Sequence, residues 1–97
     1  MRLTLAPGLT VALSTAQHQA LVWLGAEPRP RTVRDAKGRG VEGAPSCRTL
    51  RPLTSMGLVA GQKDMLSGIT TAELTDLGHT ALKAATRWVA MRQGRFV

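Results

Sequence analysis

The chain predicts a small α+β domain, mainly α, with about four helices and a two- or three-stranded β element. Three observations lead there. Its 97 residues, 43% hydrophobic with mean hydropathy of −0.03, allow one modest core and no second. Apolar residues recur at helical spacing in 16–26 and again in 76–93. Two short aliphatic and β-branched stretches, 58–60 and 69–74, flank a polar loop, the pattern of paired strands.

Residues 1–14 form an N-terminal strand or arm. Stretches 2–5 and 9–13 alternate around Pro7-Gly8, a turn dipeptide that makes either a short hairpin or one irregular strand. Ser14 or Thr15 caps a helix over 16–26, with Ala16, Ala20, Leu21 and Leu24 inward and Trp23 shielding the edge. Pro28 and Pro30 keep 27–31 irregular. Thr32 caps a short helix over 33–38, which Gly38, Gly40 and Gly43 weaken. Ser46 caps the next, over 47–56, closed by Gly57. Cys47, Leu50 and Leu53 face inward there, and Arg48, Thr49, Arg51 and Ser55 outward or sideways. Pro52 removes one donor and crowds the carbonyl of Arg48, so this helix kinks or starts later. The loop 62–68 between the two strands carries Met65 and Leu66. Thr75 caps the longest helix, 76–93, with Leu77, Ala81, Leu82, Ala85, Trp88 and Val89 along one face.

Charge narrows the function. Thirteen Lys and Arg against six Asp and Glu give +7 and a pI near 11.4, the balance of a protein that meets a polyanion. Residues 27–51 carry +4, and Arg87, Arg92 and Arg95 add a second basic cluster at the end. Two Trp, one Phe and no Tyr leave no stacking platform for single-stranded nucleic acid. No apolar run approaches the roughly 18–20 residues of a membrane span, and the first 13 residues make a poor signal peptide. A reducing, cytoplasmic setting is expected for a chain whose one cysteine, Cys47, excludes an internal disulfide.

The element order is helix, short helix, turn, helix, strand, loop, strand, long helix. With three segments it resembles winged helix-turn-helix bacterial transcription regulators of the MarR and PadR kind. LRPLTSMGLV (50–59) is similar to the end of a recognition helix entering a first wing strand. AELTDLGHTAL (72–82) is similar to a second wing strand turning into the following helix. TVRDAKGRGV (32–41) resembles the first helix and turn of the motif. The resemblance implies a single winged-helix domain over 1–97 that binds duplex DNA, most simply as a transcriptional regulator.

On that reading the basic segment falls on the elements that approach DNA. Arg48 and Arg51, near the start of the third helix, reach base edges, where Arg to guanine is the commonest specific contact. Ser46 and Thr49 bind base or phosphate. Arg29, Arg31, Arg34, Lys37 and Arg39 bind phosphates and set register, and Lys63 on the wing reaches an adjacent groove. The terminal helix is longer than its core requires, so Leu77, Ala81, Ala85 and Trp88 are expected to pair two copies into a homodimer. The competing reading is a protein-interaction module of the same architecture, such as a phage-type inhibitor or accessory factor of a host nucleoprotein machine. Its partner is an acidic or nucleic-acid-binding protein.

Catalysis is not expected. His18 and His79 lack ligand-spaced Asp, Glu or Cys, so they read as ordinary histidines and no metal is assigned. The serines have no His–acid pair, and Asp64, Glu73 and Asp76 are scattered. Gly38 and Gly40 lack the strand and third glycine of a dinucleotide fingerprint, so no cofactor is assigned. Cys47 reads as a small packed residue, with redox sensing the lesser alternative. Met56, Met65 and Met91 read as gap fillers.

Overall fold

The N-terminal alternation resolves as a hairpin. In the computed structural model, which describes residues 1–94, β1 (Arg2–Ala6) pairs antiparallel with β2 (Leu9–Ala12) around Pro7-Gly8. Leu3 and Val11, opposite each other in register, turn the buried face toward the terminal helix. The Met1 ammonium bonds to the Leu13 carbonyl at 3.0 Å, and Leu13 N–H returns to Met1 at 2.7 Å.

α1 (Thr15–Gly25) starts where Ser14 and Gln17 form a reciprocal capping box. Its buried residues are Ala20, Leu21 and Leu24. β3 (Arg31–Arg34), α2 (Cys47–Ser55), β4 (Val59–Lys63), β5 (Thr70–Leu74) and α3 (Asp76–Gly94) follow. The second sheet has the order β3-β5-β4, antiparallel throughout, with Arg31 opposite Ala72 and Gly61 on the far side of Ala72. Leu21, Leu24, Leu53 and Leu58 are the largest side chains sealed in the core, each contributing about 1.5–3 kcal/mol by leaving water.

This architecture overturns the mainly-α winged helix-turn-helix with about four helices. The described residues hold three helices and five strands in two sheets. The helix expected over 33–38 does not form. Residues 31–34 are a strand, because β5 offers an open edge and Thr32 and Val33 are β-branched residues suited to it. Asp35 then spends its carboxylate on a turn, accepting the N–H groups of Lys37 and Arg39 at 2.9 Å each. Gly38 sits at φ +79, outside any right-handed helix, and Arg34 bridges to Gly40. The second sheet thus draws a third strand from what the sequence pattern assigned to a helix.

α2 remains one helix despite Pro52. Pro52 supplies no N–H to the Arg48 carbonyl, but the cap at Ser46 and the complete burial of Leu53 hold both ends. Thr75 fixes the start of α3: its hydroxyl accepts from Gly78 N–H at 3.0 Å and donates to the Gly57 carbonyl.

Candidate nucleic-acid interface

Three pieces of chain meet at one end of the second sheet. β3 ends at Arg34, which is in register with Thr70 at the start of β5, and Thr70 is opposite Lys63 at the end of β4. The turn 35–40 and the hairpin tip 64–69 therefore leave the sheet side by side. The tip's Gly68 lies so close to the Ala36 carbonyl that a Cβ there would sit 2.9 Å from its oxygen. Arg34 brings in the third piece. Its guanidinium donates to the Gly38 carbonyl at 2.9 Å and to the Cys47 sulfur, so the N-terminus of α2 is tied to the same end.

This junction collects most of the residues expected to contact DNA. Lys37, Arg39, Arg48, Arg51 and Lys63 are exposed, and Arg34 is half-buried in the link just described. Ser46 and Thr49 are there too, but partly engaged with each other. The Ser46 hydroxyl accepts from Thr49 N–H at 3.3 Å and lies 3.1 Å from the Thr49 hydroxyl. Two nearby carboxylates, Asp35 and Asp64, are committed to turns. Asp64 accepts from Leu66 N–H at 2.9 Å and from the Ser67 hydroxyl at 3.0 Å, and these bonds hold its carboxyl below the ordinary value. Glu42 lies exposed on the loop before α2.

Two expected contacts lie elsewhere. Arg29 precedes β3, at the opposite end of that strand from the turn 35–40. Arg31 is spent internally: its guanidinium stacks 3.7 Å from the centroid of Trp23 and donates to the Trp23 carbonyl at 2.7 Å, clamping β3 to α1. Arg95, part of the terminal basic cluster, is outside the described residues.

Other assignments change with the packing. Cys47 is exposed rather than packed inward. Met65 and Met91 fill no gap, being 86% and 74% exposed, and Leu66 is 99% exposed. The sequence hint for the tip was the Asp64–Ser67–Gly68 turn chemistry, which points neighbouring side chains outward whatever their polarity. An apolar groove of about 290 Å³ opens between α2 and the sheet, with Val33, Leu50, Val59 and Ala72 in its lining and Arg51 at its side. Of the four residues expected to pair two copies, Ala81 and Ala85 are 0% exposed within the protomer. Leu77 is half-buried against the same core, and Trp88 borders a pocket with Met1, Leu13 and His18. The alanines have no surface to offer a second chain.

Among the described residues no three His, Cys, Asp or Glu side chains gather as metal ligands, and no helix is long and apolar enough to cross a membrane. Comparison with protein-family models, with curated proteins and with solved structures found no match to this chain.

Proposed function

We propose that the chain binds duplex DNA through the junction of α2, the turn 35–40 and the hairpin tip, and acts in the cytoplasm as a small transcriptional regulator. The observation that carries this reading is the gathering of Lys37, Arg39, Arg48, Arg51 and Lys63 at one end of one sheet. These cations come from three separate elements, so they spread over a surface rather than lining a single helix. Arg48 and Arg51 lie on the exposed side of a helix that a groove can admit, and the turn and hairpin cations fit flanking phosphates. No cofactor or catalytic step enters this reading.

The test is fluorescence anisotropy with labelled duplex, single-stranded DNA and RNA across a salt series. If Lys37, Arg39 and Lys63 meet phosphates while Arg48 and Arg51 meet base edges, log Kd against log salt has a slope of magnitude about 3. Duplex should bind more tightly than single strands. Absence of duplex binding at micromolar protein and low salt overturns the proposal.

One observation favours a second reading, a protein-interaction module. The groove between α2 and the sheet is apolar and sits beside the cations, a combination that suits an acidic partner presenting one large apolar side chain.

A further inference from the structure

We infer that Met65 and Leu66 form an apolar wedge that enters between base pairs of bound duplex DNA and bends it. This rests on the duplex-binding reading above and adds to it a deformation of the DNA. Among the described residues, Leu66 at 99% and Met65 at 86% exposure are more open to water than the other exposed large apolar residues, Leu9, Val22 and Met91. The turn that carries them is closed by its own hydrogen bonds.

Asp64 N–H bonds to the Ile69 carbonyl at 2.8 Å, and Gly68 N–H to the Asp64 carbonyl at 2.7 Å. The Asp64 carboxylate holds Leu66 N–H and the Ser67 hydroxyl, and that hydroxyl accepts from Ile69 N–H at 3.2 Å. Gly68, at φ +78, lets the tip pass close against Ala36 of the neighbouring turn. The backbone that carries the two apolar side chains is thus held in place, so the ordering entropy lost on insertion is chiefly that of the side chains themselves.

Their surroundings select the occupant. Lys63 lies at the base of the tip on the β4 side, and Lys37 and Arg39 lie on the turn beyond β5. Strands in a sheet are about 4.8 Å apart, so β4 and β3, which lead to the two sets of cations, lie roughly 10 Å apart with the apolar tip beside the line between them. A duplex groove presents a phosphate row on each side and base edges between, and the apolar base faces open to the tip when a base step unstacks. Apolar side chains of this kind unstack base steps and kink the duplex. A lipid surface fits less well. The two side chains together carry fewer carbons than one fatty acyl chain, and a single such chain holds a protein to a bilayer only marginally.

The test uses the full-length chain and the double variant M65S/L66S. Both residues are exposed, so the variant should keep the wild-type melting curve. A duplex of about 30 base pairs, labelled at both ends, reports end-to-end distance by energy transfer, and anisotropy reports binding to the same duplex. The wild type is expected to bind and raise energy transfer. The variant is expected to bind within about tenfold of wild type and leave energy transfer at the level of free DNA. A wild-type complex without a change in energy transfer, or a variant that bends the duplex equally, overturns the wedge while leaving duplex binding intact. Absence of duplex binding by the wild type overturns both. Sedimentation with phosphatidylserine vesicles completes the comparison. Vesicle binding that M65S/L66S abolishes, together with an unbent wild-type duplex, assigns the tip to a membrane surface and overturns the proposal.

Discussion

Gly78 lies in the first turn of α3, where the helix comes closest to the chain joining α2 to β4. A Cβ at this position would overlap the Leu58 carbonyl oxygen and lie 3.3 Å from the Leu74 Cβ. The same carbonyl accepts Thr75 N–H at 3.0 Å, so it cannot retreat without disturbing the start of the helix. Gly78→Ala therefore sets two effects against each other. Helix propensity favours alanine by about 1 kcal/mol. Overpacking costs about 1–3 kcal/mol. Displacing the one hydrogen bond from Thr75 N–H to the Leu58 carbonyl costs about 0.5–1.5 kcal/mol. The expected net is a destabilisation of about 0.5–3.5 kcal/mol, which for a domain of this size lowers Tm by about 4–8 °C per kcal/mol. Thermal denaturation followed by circular dichroism measures it. Gly40→Ala, in open space, should stay within about 0.5 kcal/mol of wild type. Gly25→Ala meets the movable end of Leu82, at 2.5 Å, and the Leu74 Cδ1, at 3.2 Å, both side-chain ends, and should fall between the two. A Gly78→Ala protein as stable as wild type would show that α3 does not approach Leu58 this closely.

Three further outcomes follow from the same geometry. Arg31→Met removes the guanidinium from Trp23 and should cost about 1–2 kcal/mol and alter tryptophan emission; unchanged emission and Tm would place Arg31 in solvent. Arg48→Ala and Arg51→Ala, measured by anisotropy, should each weaken specific duplex binding by about 1–3 kcal/mol with little change in Tm. Equal weakening on every sequence would make them phosphate contacts. The Asp64 carboxyl is lowered by its bonds to Leu66 and Ser67, so what it adds to the tip is complete above the ordinary carboxylate pKa and lost as pH falls through the lowered value. The Leu66 amide shift should therefore hold steady down to about pH 4 and titrate below it, and a midpoint above that refutes the assignment.

The helix starts were legible in the sequence because each is a local bond. Ser14 with Gln17, Ser46 with Thr49 and Thr75 with Gly78 are all i to i+3 contacts, written within four residues. The hairpin tip's turn is equally local, and so is the turn at Pro7-Gly8. The basic segment was legible as charge, and Arg48 and Arg51 were placed on the exposed side of their helix from spacing alone.

Other features depended on partners far along the chain. Residues 31–34 became a strand because β5, more than thirty positions later, supplied hydrogen bonds that local propensity could not anticipate. Arg31 left the expected DNA surface because folding brought Trp23 beneath it, and Cys47 lies at the surface, where Arg34 meets it from another element. Ala81 and Ala85 vanished into the protomer once the N-terminal hairpin and α1 covered α3. The sequence by itself determined where helices begin, where the chain turns and how much positive charge it carries, since these reside in neighbouring residues. Tertiary structure alone decided which cations share a surface and which apolar side chains stay in water, because both depend on distances between segments that only folding brings together.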